Sequence, residues 1–344
     1  MRDFLHKNWL NLAGALTALG ILLWFVFAAP GGGLAALAAA LANIRVYWLL
    51  CGVLVILLYW FFEALVLQVL TRSLRRGYKF THSLYTGLVG LFYSAITPFS
   101  TGGQPMQLYV MARSGLSAGS AGSILITKSI IYQTCLTVIS IAGVLFGASY
   151  FYERVPYFAV LVLVGLALNF LAVAAMCAVT RNSGFTHRFV NRAVALLHRI
   201  RLVRRPERLL DKIHRQMAIF HKSAGLFEKN ARVRVLSYAL TSLQFLSYYT
   251  VPFCVYKSLG FSGASIFLML YAQSIITMIT AFIPLPGSSG AAEGSFYLFF
   301  SLFFNAAAIM PAILLWRFLT YYLSILTGGL LWIARFARPT APRP

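Results

Sequence analysis

The sequence has few charged residues and very few acids. Charged residues make up 10% of the 344 residues, against 60% that are hydrophobic. The acids are Asp3, Glu63, Glu153, Glu207, Asp211, Glu228 and Glu293. No two of them form a paired-carboxylate motif for acid–base catalysis, and the chain has neither a nucleophile elbow nor a P-loop. We therefore expect no catalytic residue, although these patterns do not exclude an enzyme.

Residues that commonly bind metals are also sparse. The four cysteines (Cys51, Cys135, Cys177 and Cys254) lie far apart inside apolar runs, without a CxxC pair or a zinc-like Cys/His spacing. The six histidines fall in polar segments or at their edges. We predict neither a metal site nor a bound cofactor.

Long apolar runs dominate the rest of the chain. Several exceed the roughly 18 residues that indicate a membrane helix, and they are too continuous for barrel strands with alternating faces. Since a spanning segment must satisfy its backbone internally, we predict an all-α integral membrane protein. The net charge of +22 then indicates topology and attraction to anionic lipid, and not binding of nucleic acid.

The basic segments predict how the chain crosses the membrane. The short loop 71–80, the stretch 181–234 and the C-terminal tail are basic and should be cytoplasmic, as should both termini. We expect about six full spans, the first of them an uncleaved helix and not a signal peptide. The predicted spans lie near Leu10–Ala28, Val46–Leu70, Ala121–Tyr150, Pro156–Val179, Val235–Val255 and Ile309–Ile333.

Two polar breaks interrupt the apolar sequence, at TPFSTGGQPMQ (Thr97–Gln107) and IPLPGSSGAAEGS (Ile283–Ser295). For the basic loops to remain cytoplasmic, residues 83–113 and 266–305 must each enter and leave the membrane on one side, from opposite sides. We therefore predict two re-entrant helix–break–helix hairpins and an inverted repeat, which sets Pro98 beside Pro284. Transporters of that design bind substrate near the midplane, where the broken helices meet.

The whole chain, 1–344, is predicted to be a single polytopic membrane domain. Its first half is 1–180, its second half is 235–336, and the cytoplasmic stretch 181–234 joins them. This stretch carries 14 Lys and Arg against three acids. Apolar residues recur in it at helical spacing from Leu209 to Phe227, which predicts a basic amphipathic helix on the inner membrane surface. It is either a topology loop with a packing face or a surface that gathers anionic lipid.

Four ionisable residues fall inside predicted membrane segments: Glu63, Lys128, Glu293 and Arg317. Such residues are costly at depth, so each is a functional candidate. Glu63 and Lys128 should lie at similar depths, about 10–12 Å from the inner end of their helices at 1.5 Å per residue, and could pair. Glu293 and Arg317 could also meet. Either pair is a structural link between helices or part of a path for a charged headgroup, in which an arginine holds a phosphate.

The breaks themselves predict an anion site. A helix that restarts after a break points free N–H groups and a positive dipole end into the cavity, where phosphate binds readily. The candidate substrate-binding residues are Ser100, Thr101, Gly102, Gly103, Gln104, Gln107, Lys128, Gly287, Ser288, Ser289, Gly290, Glu293, Arg317 and Glu63.

The two breaks also carry a family resemblance. The stretches TPFSTGGQPMQLYVMARSGLS, with the following helix that contains Lys128, and IPLPGSSGAAEGSF resemble the transmembrane domain of lysylphosphatidylglycerol synthases. That family is also called the multiple peptide resistance factors and includes stand-alone flippase-like relatives. The resemblance extends from the first predicted helix to about Ala334.

The resemblance implies a phospholipid flippase of the bacterial inner membrane, which moves a lipid such as lysylphosphatidylglycerol and contributes to antimicrobial peptide resistance. In the full-length proteins a soluble C-terminal domain adds the lysine. Since this sequence ends at Pro344, soon after its last predicted helix, we expect no such aminoacyltransferase domain here.

Two alternatives remain: a secondary transporter of a small polar or anionic solute, and the membrane part of a phosphatidylglycerol lysyltransferase system. The expected partners are the phospholipid substrate, anionic inner-leaflet lipids at 181–234, and either a second copy of the chain or a separate lipid-modifying enzyme.

Overall fold

A computed structural model describes residues 44–199 and 206–336, together with residue 42, and every regular element in these ranges is helical. The chain is thus an all-α membrane protein, as predicted. The helices are α1 (Val46–Leu74), α2 (Phe80–Ile96), α3 (Gly103–Arg113), α4 (Ala118–Phe151), α5 (Phe158–Arg181), α6 (Ser183–Arg199), α7 (Pro206–Lys229), α8 (Ala231–Ser258), α9 (Ile266–Thr280), α10 (Ala291–Phe300), α11 (Ile309–Arg317) and α12 (Leu323–Phe336). The predicted span near Leu10–Ala28 and the C-terminal tail lie outside the described residues.

Four helical segments are long and apolar enough to cross a membrane: Val46–Leu74, Ala118–Phe151, Phe158–Arg181 and Ile309–Ala334. They correspond to four of the predicted spans and show a multi-pass membrane protein. The predicted span Val235–Val255 lies within α8, whose 28 residues cover about 42 Å at 1.5 Å per residue, although its composition is less apolar. The number of membrane crossings and the orientation of the termini stay predictions.

Each predicted hairpin contains a helix, a break and a second helix. The first runs from α2 through a 3₁₀ turn at Pro98–Ser100 to α3, and the second from α9 through a 3₁₀ turn at Pro286–Ser288 to α10. Proline stops each first helix because it has no N–H and clashes with the preceding turn. The two 3₁₀ turns contact each other, so both breaks meet at one place in the fold. Re-entry on one side of the membrane remains a prediction.

Close helix packing surrounds the breaks. α1 packs along α8, and a Cβ added to Gly52 of α1 would lie 3.5 Å from the Cβ of Cys254. α12 packs against α2 at Gly328, where an added Cβ would lie 2.6 Å from the carbonyl oxygen of Leu88. Small residues permit such approaches between membrane helices. This packing places α1, α4, α8 and α11 around the two breaks.

The basic stretch forms two helices, α6 and α7, and the expected amphipathic helix from Leu209 to Phe227 lies within α7. α7 packs against the start of α4, where the Gly119 N–H donates to Oε1 of Gln216 at 2.8 Å. Met217 and Phe227 are buried. The apolar face of α7 therefore packs at least in part on the protein, while contact with a lipid surface stays a prediction.

Candidate functional site

A cavity of about 560 Å³ lies where the two breaks meet. Both breaks contribute to its wall, as do α1, α4, α5, α8, α9 and α11. The predicted site residues that line it are Glu63, Ser100, Gly103, Gln104, Gln107, Lys128, Gly287, Ser288 and Arg317. The structure therefore brings together residues separated by more than 250 positions in the sequence.

Glu63 and Lys128 form the first buried ion pair of the cavity. Oε1 of Glu63 also lies 3.5 Å from Nε2 of Gln107, and its Oε2 accepts a hydrogen bond from Nε2 of Gln244 at 3.0 Å. Only 4% of the Glu63 side chain and 14% of the Lys128 side chain are exposed. The carboxylate thus joins α1, α3, α4 and α8 around one fully paired charge.

Glu293 and Arg317 form the second buried pair, with Nε of Arg317 donating to Oε1 of Glu293 at 2.7 Å. Nη1 of Arg317 donates to the carbonyl oxygen of Gly287 at 3.1 Å. Its Nη2 is buried and has no hydrogen-bond partner among the described residues. An unsatisfied buried donor costs about 1–3 kcal/mol, and more on a charged group, so an acceptor placed at this atom would lower the free energy of the protein.

The first break presents a helix start to the cavity. Helical hydrogen bonding in α3 begins with the Met106 N–H, which donates to the Gly102 oxygen at 3.2 Å. The N–H groups of Gly103 and Gln104 precede this bond, and both residues line the cavity. Gln104 also donates from Nε2 to the Ser129 hydroxyl at 2.9 Å. These two N–H groups are the candidates for the anion-binding donors that the sequence predicts, and their role stays a prediction.

Two other predicted residues of the first break hold the backbone and do not line the cavity. The Gly102 N–H donates to the Thr97 hydroxyl at 2.8 Å, and the Thr101 hydroxyl donates to the Pro98 oxygen at 2.9 Å. Thr101 is exposed. These hydrogen bonds pair polar groups at the ends of the broken helix, as a break within a membrane protein requires.

The second break differs from the expectation of a free helix start. The Gly290 N–H donates to Oε2 of Glu293 at 2.6 Å, so the protein's own carboxylate occupies the anion position at the start of α10. The hydroxyls of Ser288 and Ser289 donate to the carbonyl oxygens of Thr280 and Pro286. Ser289, Gly290 and Glu293 are absent from the described cavity wall. The start of α10 is therefore occupied, and the charged residue of this half that lines the cavity is Arg317 of the following helix α11.

The backbone supports an internal repeat but changes its alignment. Phe99 and Ser100 have φ values of 54° and 55°, and Gly287 and Ser288 have 58° and 52°. Pro98 therefore corresponds to Pro286, and not to Pro284 as the sequence comparison set it. Under this alignment the helix starts Gly102 and Gly290 also correspond. Lys128 follows Pro98 by 30 residues and Arg317 follows Pro286 by 31, so the two buried cations occupy similar places in the two halves.

Comparison with known proteins identifies the family of this chain. Residues 11–328 match the family described as the lysylphosphatidylglycerol synthase TM region. The chain belongs to this family. A UPF0104 membrane protein from Archaeoglobus fulgidus is 26% identical over 295 residues, which are 83% of this chain and 86% of that protein. Membership of the lysylphosphatidylglycerol synthase TM region family connects the chain with the synthesis or transport of lipids.

In this family member the sequence analysis missed the aromatic part of the site. Tyr59, Tyr132, Tyr248, Trp316 and Tyr321 all line the cavity. The sequence contains a signal for the tyrosines, because each lies four positions from a polar cavity residue or from its hydrogen-bond partner. Positions four apart share one face of a helix. Among 18 tyrosines, however, that spacing is only informative once the polar residues are known to meet.

The turn after Arg317 was also missed. Residues Phe318–Tyr322 form a π-helical turn between α11 and α12. Such turns often occur at functional sites because they rotate the side chains that follow them. Here the guanidinium of Arg317 lies 5.2 Å from the ring centre of Tyr321 and 5.1 Å from that of Trp316, which holds it against the cavity wall.

Proposed function

We propose that this protein moves phospholipids between the two leaflets of a membrane, with the headgroup phosphate bound in the cavity between the two breaks. The observation that carries the proposal is Arg317, which lines the cavity and whose buried Nη2 has no hydrogen-bond partner among the described residues. A phosphate oxygen is the acceptor that a guanidinium binds best, because the planar fork matches its geometry.

The size and charge of the cavity suit a headgroup. A volume of about 560 Å³ lies within the roughly 300–1,000 Å³ of typical small-ligand sites. The two cations near it are matched by two carboxylates, so the formal charge of the two pairs is zero. A site that has no net charge and one unpaired donor, Nη2 of Arg317, permits both binding and release of a phosphate, which a translocation pathway requires.

Access from lipid favours a phospholipid over a soluble solute. The cavity reaches Ala172 and Met176 of α5, which is the least buried of the four long apolar helices. Phe99 also lines the cavity and is 56% exposed. A headgroup entering beside α5 leaves its tails among exposed apolar side chains such as Leu163 and Leu171.

Reconstituted liposomes test the proposal. Purified protein is inserted into vesicles that contain fluorescent phospholipid, and dithionite reports the lipid that reaches the outer leaflet. We expect rapid movement with the wild type and loss of movement in Arg317→Ala, Lys128→Ala and Glu293→Ala. Arg181→Ala is the control, because its ion pair with Glu228 is exposed. Wild-type rates in all three cavity variants contradict the site. No lipid movement by the wild type, with uptake of a polar solute driven by an ion gradient, favours the secondary transporter.

We also propose that α6 and α7 lie on the cytoplasmic face of a bacterial inner membrane and contact anionic lipids there. The excess of Lys and Arg in 181–234 supports this orientation. Accessibility labelling of a single cysteine introduced at exposed Asn182 in intact cells tests it, and labelling from outside contradicts it.

A further inference from the structure

Glu293, one of the two buried carboxylates of the site, has partners that only donate. Nε of Arg317 donates to its Oε1 at 2.7 Å, and the Gly290 N–H donates to its Oε2 at 2.6 Å. A guanidinium and a backbone N–H have no acceptor atom. The O–H of a protonated Glu293 would therefore find no acceptor in either partner, although the residue is buried. The surroundings of Glu293 suit its ionised form.

Glu63, the other buried carboxylate, has partners of a different kind. Its Oε2 accepts from Nε2 of Gln244 at 3.0 Å, and its Oε1 lies 3.5 Å from Nε2 of Gln107. An amide side chain carries an acceptor oxygen beside its donor nitrogen, and a half-turn about its terminal C–C bond exchanges the two. Lys128, the third partner, ends a flexible four-carbon stem. Glu63 can therefore be hydrogen-bonded both as a carboxylate and as a protonated acid.

The charge that faces Glu63 comes mainly from one group. α1 itself, α4 and α8 place four titratable side chains beside it: Tyr59, Lys128, Tyr132 and Tyr248. The π-helical turn that contacts α1 adds two more tyrosines, Tyr321 and Tyr322. Since tyrosine is uncharged near neutral pH, Lys128 is the ion paired with Glu63. α2 contributes Gly87, where an added Cβ would lie 3.3 Å from Cγ of Glu63. A change of charge at Glu63 therefore acts first on Lys128.

We propose that Glu63 is a proton-binding site that changes the charge of the cavity. Glu63 lines the cavity, so water there can exchange protons with it. A hydronium ion gives its proton to one carboxylate oxygen and becomes water, and the new O–H donates to the amide oxygen of Gln244 or Gln107. Lys128 keeps its own proton. The formal charge of the two pairs thus changes from zero to one positive charge.

The protonated state prepares the cavity for an anion. Lys128 also lines the cavity, and without a carboxylate partner its ammonium is free to bind an anionic group there. Because linkage is reciprocal, an anion that binds more tightly to this state raises the proton affinity of Glu63 by the same factor. The coupling of this proton to lipid movement rests on the proposed function, whereas the proton site itself does not.

Infrared spectroscopy detects the proton on Glu63 without any transport step. Purified protein in a detergent without carbonyl groups is titrated from about pH 8 to about pH 5, a range in which folded proteins are usually most stable. A protonated carboxyl has a C=O band that a carboxylate lacks. The exposed acids contribute equally to the wild type and to Glu63→Gln, so the difference between the two proteins reports Glu63. We expect the wild type to gain one carboxylic acid more than the variant. Equal bands throughout the range overturn the proposal.

A second variant keeps the test decisive if Glu63→Gln fails to fold. Glu63→Gln combined with Lys128→Met removes both charges at similar volume and leaves no unpaired ion. It should lose the same carboxylic acid band, and a wild-type band in this variant overturns the assignment. Glu228→Gln is the matched control, because it removes an acid whose ion pair is exposed. It should keep the Glu63 band.

The pH dependence of lipid movement distinguishes this proposal from the proposed function. Liposomes that contain fluorescent phosphatidylglycerol, an anionic lipid, are held at about pH 6 or about pH 8 on both sides. We expect the wild type to move the lipid about tenfold faster at the lower pH, which corresponds to about 1.4 kcal/mol, and Glu63→Gln to move it at one rate. Movement at one rate in the wild type, without a Glu63 band, retains the translocase and overturns the proton site. A Glu63 band without any lipid movement retains the proton site and overturns the translocase.

Discussion

The two halves of the fold have similar backbones at their breaks but differ in what pairs with the cation on the helix that follows each hairpin. In the second half Oε2 of Glu293 accepts from the Gly290 N–H and its Oε1 accepts from Arg317. One carboxylate therefore caps the start of α10 and also pairs with the cation. In the first half the first turn of α3 has no acid, and Lys128 of α4 pairs with Glu63 of α1.

This difference assigns unlike roles to the two halves. In the second half Glu293 of α10 pairs with Arg317 of the neighbouring helix α11, and Nη2 of Arg317 has no hydrogen-bond partner among the described residues. In the first half Lys128 of α4 pairs with Glu63 of α1, and Gly103 and Gln104 at the start of α3 line the cavity. The two similar breaks therefore carry different charged groups, and we predict that a ligand meets Arg317 on one side and the start of α3 on the other.

Removal of the Glu293 carboxylate is expected to have the largest effect on the difference between the two halves. Glu293→Gln leaves Arg317 buried without a counter-ion, and breaking such a pair costs about 3–5 kcal/mol. We expect the largest loss of thermal stability in detergent among the variants considered. Glu228→Gln breaks the exposed pair with Arg181 and should cost less than about 1 kcal/mol. Equal losses of thermal stability in the two variants contradict a stabilising role for the buried Glu293–Arg317 pair.

Replacing each cation by the other type of basic residue tests which of the two binds the phosphate. Arg317→Lys keeps the charge but loses Nη2 and the planar fork, so lipid movement in liposomes should slow by about tenfold or more. Lys128→Arg keeps a charge beside Glu63 and should have a smaller effect. The opposite order of rates indicates that Lys128, and not Arg317, holds the phosphate.

Close packing at the first helix start predicts a third effect. A Cβ on Gly103 would lie 2.8 Å from the Gly90 oxygen and still closer to the Ser94 hydroxyl. Gly103→Ala should therefore destabilise the protein by about 1–3 kcal/mol, as overpacking does. Gly294 of the second hairpin is exposed and has open space around it, so Gly294→Ala should be neutral or stabilise by up to about 1 kcal/mol. The melting temperatures of both variants check this difference. A Gly103→Ala variant as stable as the wild type contradicts it.

The smallest effect concerns the tip of the break. Phe99 has a φ of 54°, where a side chain is strained, and the equivalent residue of the second hairpin is Gly287 with a φ of 58°. Since Phe99 is largely exposed, Phe99→Gly should raise stability by about 1 kcal/mol at most. Gly287→Ala should lower it, because a Cβ there would lie 2.6 Å from Cζ of Tyr321. A lower melting temperature for Phe99→Gly shows that its ring packs more than its exposure indicates.

Much of the site could be predicted from the chain because its evidence is local. A charged residue in an apolar run is visible without any structure, and the depth of Glu63 and Lys128 follows from the rise of a helix, so their pairing was predicted. The proline and glycine breaks were equally visible. The correspondence of Pro98 with Pro286 was not, because it depends on backbone angles that several Pro/Gly/Ser alignments satisfy.

The sequence by itself determined the membrane class, the helical fold, the family and the four buried charges, since each follows from composition, periodicity or a short motif. Only the tertiary structure decided which donors remain open. Whether Nη2 of Arg317 has a partner and whether four tyrosines converge both depend on the rotation of helices about their own axes. That rotation is set by side-chain packing between helices far apart in the chain, which no local pattern contains.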